Sequence, residues 1–129
     1  MKASFKFLTT TLLTTFLILP ALAMAGSNHS TVNKSISISD NTTAGEVDSV
    51  NGSIRIGDNS FVESIDAVNG SINLGNDVTV DKGIEAVNGA IKLKPGCEVG
   101  GNIETVNGGI RLQNTRVSGD VETINGQLR

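Results

Sequence analysis

The sequence has almost no aromatic side chains and almost no His or Cys. Its 129 residues contain no Trp and no Tyr, one His and one Cys, and Phe61 is the only aromatic residue beyond residue 16. Such a chain has little means to stack nucleic-acid bases or sugar rings. One His and one Cys exclude a multi-ligand zinc site of the usual kind and a disulfide within one chain.

The amino terminus, residues 1–25, has the pattern of a cleavable secretory signal. Lys2 and Lys6 precede residues 7–19, which are apolar apart from Thr, and Ala23-Met24-Ala25 gives a small-x-small cleavage site. The apolar run is shorter than the roughly 20 residues that a transmembrane helix needs. We therefore expect cleavage after Ala25 and no stable membrane insertion afterwards. An uncleaved N-terminal anchor is the alternative.

The remainder of the chain is acidic. Residues 26–129 hold eight Lys and Arg against thirteen Asp and Glu, a formal net charge of −5. This balance argues against a nucleic-acid partner and against an anionic membrane surface. With the signal, it predicts an exported protein that is periplasmic, on the cell surface or secreted. Residues 26–31 are interpreted as a polar leader, with His29 in a flexible terminus.

A phrase of the form Val-Asn-Gly-x-Ile-x-Ile/Leu recurs from residue 32 onward. Its Asn residues are spaced by 18 or 19 positions: Asn33, Asn51, Asn69, Asn88, Asn107 and Asn125. No sustained 3.6-residue periodicity accompanies it, which excludes helical repeats. Each period contains three short apolar patches separated by three turn-rich segments. Three patches and three corners are typical of one coil of a three-sided β-solenoid.

Residues 32–129 are therefore predicted to form a repeat protein of the all-β class, a parallel three-sided β-solenoid or β-helix of about five coils. The known preference of parallel crossovers makes a right-handed solenoid the expectation. Stacked Asn side chains would form an asparagine ladder, and the Gly after each Asn suits a corner with positive φ. The alternative is a meander of hairpins, because Asn-Gly also favours type I′ turns.

One column of the repeat is acidic. It consists of Asp48, Asp66, Glu85, Glu104 and Glu122. Like charges this close raise pKa values or attract a cation such as Ca²⁺, and carboxylate pairs also serve glycosidases. The column is uniform, however, and the Ca²⁺-binding signature G-G-x-G-x-D is absent. We interpret it as a solvated outward face and assign no catalytic, cofactor-binding or metal-binding residue and no cofactor.

A basic column and the single Cys each allow two interpretations. An outward column is mildly basic, and it is either solubilising or a binding stripe: Ser37, Arg55, Asn73, Lys92 and Arg111. Cys97 aligns with Val78, which predicts a core position. An exposed thiol near Pro95, open to an intermolecular disulfide, is the alternative.

The repeating units resemble the adhesin-like β-solenoid domain family of bacterial envelope proteins. They resemble the bactofilins, which are polymer-forming bacterial cytoskeletal solenoids, more weakly, and bactofilins lack an export signal of this kind. The likeness covers residues 32–129 and implies a structural role in the cell envelope with an envelope or cell-surface partner. We expect an exported, non-enzymatic structural or adhesin-like module. The alternatives are an envelope protein that self-associates through its coil ends, because the last copy stops at Arg129 without a cap, and a carbohydrate-active β-helix enzyme.

Overall fold

The computed structural model describes residues 26–129, which form a parallel β-solenoid of about six turns. The signal predicted for residues 1–25 lies outside the described residues. In chain order the strands are β1 (Ser27–Thr31), β2 (Ile36–Ile38), β3 (Thr43–Asn51), β4 (Ile54–Ile56), β5 (Phe61–Asn69), β6 (Ile72–Leu74), β7 (Thr79–Val80), β8 (Ile84–Asn88), β9 (Ile91–Leu93), β10 (Glu98–Val99), β11 (Ile103–Asn107), β12 (Ile110–Leu112), β13 (Arg116–Val117) and β14 (Val121–Asn125).

The strands belong to two sheets that together make three sides. β2, β4, β6, β9 and β12 form a five-stranded sheet, and the other nine strands form the second. The nine-stranded sheet covers two sides because β3 and β5 are nine residues long and continue across the corner between them. All strand pairs among residues 26–129 are parallel. The predicted solenoid is confirmed, and the hairpin meander is excluded.

The repeat lengthens from 18 to 19 residues partway along the chain, and the register of the strands shows where in the coil the extra residue lies. Val62 pairs with Val80, whereas Ile65 pairs with Ile84, so the later coil has an extra residue between these two pairs. That residue lies in 81–83, at the corner between the two sides of the nine-stranded sheet. There the single long strand of the earlier coils is divided into two short ones.

The interior is filled by stacked aliphatic side chains. Ile91 pairs with Ile72 on one side and Ile110 on the other, and all three are at most 1% exposed. The neighbouring Lys92 is exposed, so the predicted alternation of inward and outward positions is confirmed. Each aliphatic side chain buried in this way contributes about 1.5–3 kcal/mol to folding.

Cys97 belongs to this core. It occupies the position of Val78 and is 1% exposed. Its Sγ lies 3.1 Å from the carbonyl oxygen of Gly75. Burial raises the pKa of the thiol, so the reactive thiolate is disfavoured. The predicted core position is confirmed, and the exposed thiol is excluded.

The asparagine ladder runs along the corner that joins the two sheets. In every step the Nδ2 of one Asn donates to the Oδ1 of the Asn one coil earlier, over 2.9–3.0 Å. The five bonds link Asn33, Asn51, Asn69, Asn88, Asn107 and Asn125 in one chain. The predicted ladder is confirmed, and its side chains are exposed at the surface.

The Gly that follows each ladder Asn is required chiefly by close backbone contact. A Cβ on Gly70 would collide with the carbonyl oxygen of Gly52 in the preceding coil, and Gly89, Gly108 and Gly126 meet the same obstacle. The sequence predicts that this Gly is needed for a positive φ in every copy. That prediction does not hold for Gly89 and Gly126, which have no positive φ. The first copy has Lys34 at this position.

A different corner holds the left-handed backbone. After each strand of the five-stranded sheet, one residue has φ between 43° and 88°. These residues are Asn41, Asn59, Asp77, Gly96 and Asn114. Asn, Asp and Gly are the residues that adopt this conformation at least cost. The different residue types at this position of the coil therefore all allow the same left-handed turn.

The structure corrects the start of the solenoid. Residues 27–31, interpreted as a polar leader, form β1 and pair with β3, where His29 lies opposite Val47. Asn28 Oδ1 also accepts a hydrogen bond from the Glu46 backbone N–H at 3.0 Å. His29 is therefore held in a strand, and the coils number about six rather than five. The segment SNHST has no apolar pattern, but backbone pairing to an existing strand edge does not need one.

Candidate functional site

The acidic column is stacked on the outer side of the nine-stranded sheet. Strand register aligns one carboxyl per coil, so that Asp48, Asp66, Glu85, Glu104 and Glu122 follow each other. Neighbouring strands of a sheet are about 4.8 Å apart. The predicted column therefore exists as one continuous file of carboxyl groups.

The expectation that this column is solvated is wrong. Asp48 is 2%, Asp66 8% and Glu104 6% exposed, and Glu85 and Glu122 are partly buried. Each inner carboxyl has a neighbour in the coil before it and in the coil after it. Val50 and Val68, two residues further along their strands, lie on the same outer face by the alternation of a β-strand. Apolar neighbours and stacking together remove these carboxyls from water.

Several of these oxygen atoms have no hydrogen-bond partner. They are Asp48 Oδ1 and one Oε2 each on Glu85, Glu104 and Glu122. Glu104 uses its other oxygen, Oε1, to accept a bond of 3.0 Å from Asn102 Nδ2. A buried oxygen atom without a hydrogen-bond partner adds to the free-energy cost of burying a charged carboxyl group.

Three carboxyl groups of the column have raised pKa values. Burial, reinforced by the charges of neighbouring carboxylates, raises the pKa of Asp48 to about 6 and that of Asp66 to about 8. For Glu85, burial and the nearby Glu104 raise the pKa to about 7. A hydrogen bond between Asp48 and Asp66 lowers the pKa of the first and raises that of the second. At neutral pH, Asp66 is therefore mostly the neutral acid, which donates to the Asp48 carboxylate.

This arrangement does not assemble a metal centre. In the part of the chain that the structure describes, no group of three or more His, Cys, Asp or Glu side chains is placed to hold a metal ion. Ca²⁺ takes six to eight oxygen ligands, whereas the column supplies carboxyls in single file. The fit of a divalent cation is therefore poor.

The mildly basic column lies on the outer side of the five-stranded sheet. Strand register stacks Ser37, Arg55, Asn73, Lys92 and Arg111 in this order. The bridge between Ile110 and Leu128 continues the stack, so that Arg129 aligns with Arg111. Lys92, Arg111 and Arg129 therefore follow each other in consecutive coils. All three are exposed.

Two residues of this surface were missed by sequence reasoning, Arg129 and Lys94. Lys94 lies two positions beyond Lys92 and is also exposed. Both could have been found by listing every outward position of the Ile-x-Ile/Leu strands through all copies, including the shortened last one. The same listing would have shown the Val residues beside the acidic column.

Residues 26–129 include no helix that is long and apolar enough to cross a membrane. No protein-family model matches the chain, and searches of the curated proteins and of the solved structures gave no match. The resemblance to adhesin-like β-solenoid domains therefore stays a prediction. The function has to be argued from the columns themselves.

Proposed function

We propose that this protein is an exported, non-enzymatic β-solenoid module with a structural or adhesin-like role in the bacterial envelope. The observation that carries the proposal is the unbroken asparagine ladder. Its five hydrogen bonds of 2.9–3.0 Å join every coil to the next from Asn33 to Asn125. The repeated positions of the chain thus serve stacking, which builds a rod with flat, extended sides.

The carboxyl groups support a structural role over catalysis. A general acid or base has to reach the substrate within hydrogen-bond distance. Asp48 is 2% and Asp66 8% exposed, so these two carboxyls are shielded from a substrate arriving from solvent. We therefore place their role in the fold of the solenoid and not in a reaction.

Export is supported by the layout of residues 1–25, with its charged start, apolar run and small-x-small site. Cell fractionation with mass spectrometry of the native protein tests it. The expected result is a periplasmic, surface or secreted protein that begins at Gly26. Full-length protein in the cytoplasm would contradict the proposal.

The adhesin-like part needs its own test. Protein on the cell surface is expected to be digested by protease added to intact cells, and its loss is expected to reduce attachment of the cells to a surface. Protein that is fully protected in intact cells, with attachment unchanged in its absence, would leave a structural role within the envelope and remove the adhesin-like one.

End-to-end self-association is a second candidate, favoured by apolar side chains in the last coil. Ile124 is 51% and Leu128 54% exposed, and β14 pairs with β11 alone among the described strands. Unpaired strand edges favour association between molecules. Sedimentation velocity of the native protein and of Leu128→Asp tests this, with Asn73→Asp in a middle coil as the control. Oligomers lost only in Leu128→Asp are expected. A monomeric native protein at high micromolar concentration would contradict it.

A further inference from the structure

One side of the solenoid is positively charged although the chain as a whole is acidic. We define the cation face as the central outward position of the five-stranded sheet together with the residues two positions before and after it. Five of the eight Lys and Arg residues of the described chain lie there: Arg55, Lys92, Lys94, Arg111 and Arg129. The other positions of the cation face are Ser, Asn, Gln, Ala or Gly. None of the thirteen acidic residues is among them.

Among the described residues, no cation of this face forms a salt bridge, although hydrogen bonds from the next coil and the charge of Lys94 lower the pKa of Asp58. Among residues 26–129 the structure forms one salt bridge, between Lys82 and Glu63, and both residues lie on the nine-stranded sheet side. The acids nearest in sequence, Asp40 and Asp58, lie at the following corner. Each accepts a hydrogen bond of 2.8 Å from a backbone N–H of the next coil. The cation face therefore carries a surplus of positive charge.

Stacking makes this surplus costly in the isolated protein. Lys92, Arg111 and Arg129 are aligned in consecutive coils, and like charges directly opposite each other on neighbouring strands destabilise a sheet. Acidic residues are plentiful elsewhere in the chain, yet none interrupts this row. An anionic ligand laid along the row would remove the repulsion.

The surface beside the cations is shallow and open. A depression of about 270 Å³ extends over the last coils on one side of the row and includes Ala90, Gly109 and Gln127. A second, of about 210 Å³, lies on the other side and includes Asn73 and Gln113. Both share Lys92 and Arg111. Small side chains thus leave room along the solenoid axis, and Asn and Gln offer hydrogen bonds to hydroxyl groups.

We propose that the cation face binds a linear acidic polysaccharide, which lies along the solenoid axis with its carboxylates against the row of cations. The coil repeat of about 4.8 Å is of the order of one sugar unit, so the carboxylates that face the protein recur at spacings of one or a few coils. The one aromatic residue of the described chain, Phe61, lies in the nine-stranded sheet, so neither bases nor sugar rings can stack on the cation face. A polysaccharide is favoured over a nucleic acid because each of its units offers hydroxyl groups to Asn73 and Gln113. This inference rests on the proposed envelope role, since it names the ligand class of that module.

Binding of polygalacturonate to the purified native protein tests the inference by calorimetry, with fully methyl-esterified polymer as the uncharged control. We expect polygalacturonate to bind, binding to weaken as salt rises, and the esterified polymer not to bind. The variant Lys92→Gln/Arg111→Gln/Arg129→Gln should bind about tenfold or more weakly, since each charge-assisted contact is worth about one factor of ten or more.

A matched variant separates the face from net charge. Lys34→Gln/Lys82→Gln/Arg116→Gln removes three cations that lie outside the cation face and should change the affinity by less than about twofold. Circular dichroism verifies that both triple variants remain folded. Equal losses in the two variants, or no binding of polygalacturonate, would overturn the proposal. Equal binding of polyglutamate or single-stranded DNA would also overturn it, because recognition would then be by charge alone.

The outcome is distinguishable from a failure of the proposed function. An exported protein that does not bind polygalacturonate would remove this inference and leave the envelope role in place. A cytoplasmic protein that binds it through the cation face would remove the envelope role and leave the binding surface.

Discussion

Two columns of ionisable side chains run along the outside of this solenoid, and one is buried whereas the other is exposed to solvent. The acidic column of the nine-stranded sheet is largely buried, and the pKa of Asp66 within it is raised to about 8. On the five-stranded sheet, Arg55, Lys92 and Arg111 are exposed. In each column the residues occupy equivalent positions in successive coils, and their side chains point away from the core. Outward orientation alone therefore does not determine whether a side chain is solvated.

The neighbours of each column account for the difference. Asp48 and Asp66 lie within strands of nine residues and have Val50 and Val68 beside them on the outer face. Arg55 lies in a strand of three residues with Ser53 just before it. Short strands end at corners, where long Lys and Arg side chains extend into water. Strand length is not the cause of the burial, because Glu104 in the five-residue strand β11 is 6% exposed. The shorter carboxyl side chains are buried by their neighbours on the outer face.

The strongest way to break the comparison is to move a carboxylate from the outside of the sheet to the inside. Ile91→Asp buries a charge between Ile72 and Ile110, and we expect a loss of several kcal/mol in the free energy of unfolding. Lys92→Asp, one position along, should be nearly neutral because the carboxylate remains exposed. Urea denaturation measures both. Equal losses would show that the assignment of inward and outward positions is incorrect.

The next effect is a dependence of stability on pH that belongs to the acidic column. A carboxyl whose pKa is raised in the folded state binds its proton more tightly there, so stability falls as pH rises from the unfolded pKa near 4 to the folded pKa. For Asp66 the folded pKa is about 8. We expect a loss of about 3 kcal/mol between pH 4 and pH 8, since each pKa unit corresponds to about 1.4 kcal/mol and neighbouring carboxyls share the effect.

Asp66→Asn tests this directly, because the amide has the same shape and does not titrate. The variant should lose less stability between pH 4 and pH 8 than the native protein, as measured by thermal unfolding at each pH. Asp58→Asn is the control, because hydrogen bonds from Asn76 lower the pKa of Asp58, which lies outside the acidic column. Asp66→Asn with an unchanged pH dependence would mean that the column does not hold its protons.

A smaller effect is expected at the corner that joins the two sheets. Gly89→Ala places a methyl group against the carbonyl oxygen of Gly70 at a position without positive φ, and we expect it to cost about 2 kcal/mol through overpacking. Gly109→Ala is the matched control, because its Cβ would lie 3.2 Å from the nearest atom and Ala90 already occupies that column. Thermal melts of the two variants are compared. Equal melting temperatures would remove close packing as the reason for the glycine.

The smallest effect concerns the asparagine ladder at the same corner. Asn88→Ala removes two bonds of 2.9 Å, to Asn69 and from Asn107. Because the ladder is exposed, water replaces part of the loss, and we expect about 1 kcal/mol. Asn73→Ala, away from the ladder, should change stability less. A melt of Asn88→Ala that coincides with that of the native protein would show that the ladder follows from the fold and does not stabilise it.

The period of the sequence was sufficient to predict the fold, the ladder and the inward residues. Ile91 and Cys97 follow from phase alone, because in a stacked solenoid every copy occupies the same environment. Strand β1 was missed because its pairing depends on backbone groups, which leave no apolar pattern in SNHST. Burial of Asp48 and Asp66 was missed because it depends on side chains in neighbouring coils, which the sequence of one copy does not show.

The corner formed by the Asn-Gly steps is a second feature whose cause could not be predicted from the sequence of one copy. The need for Gly at position 89 was predicted, but its reason is the carbonyl oxygen of Gly70 and not a positive φ, which Gly89 does not have. A distance between coils is a tertiary quantity. The candidate site is similar, since Lys94 and Arg129 join the cation face only when outward positions of adjacent coils are placed side by side.

The most direct test of the central claim, that an outward column can be buried and hold its protons, is a titration of individual carboxyl groups. Carbon-13 NMR shifts of the side-chain carboxyls of Asp66, Glu85 and Asp58 are followed with pH in one sample of the native protein. We predict midpoints at about 8 for Asp66 and about 7 for Glu85, and a midpoint for Asp58 below its ordinary value of 3.8. If Asp66 instead titrates in the ordinary range near 4, the acidic column is solvated and the contrast between the two columns is incorrect.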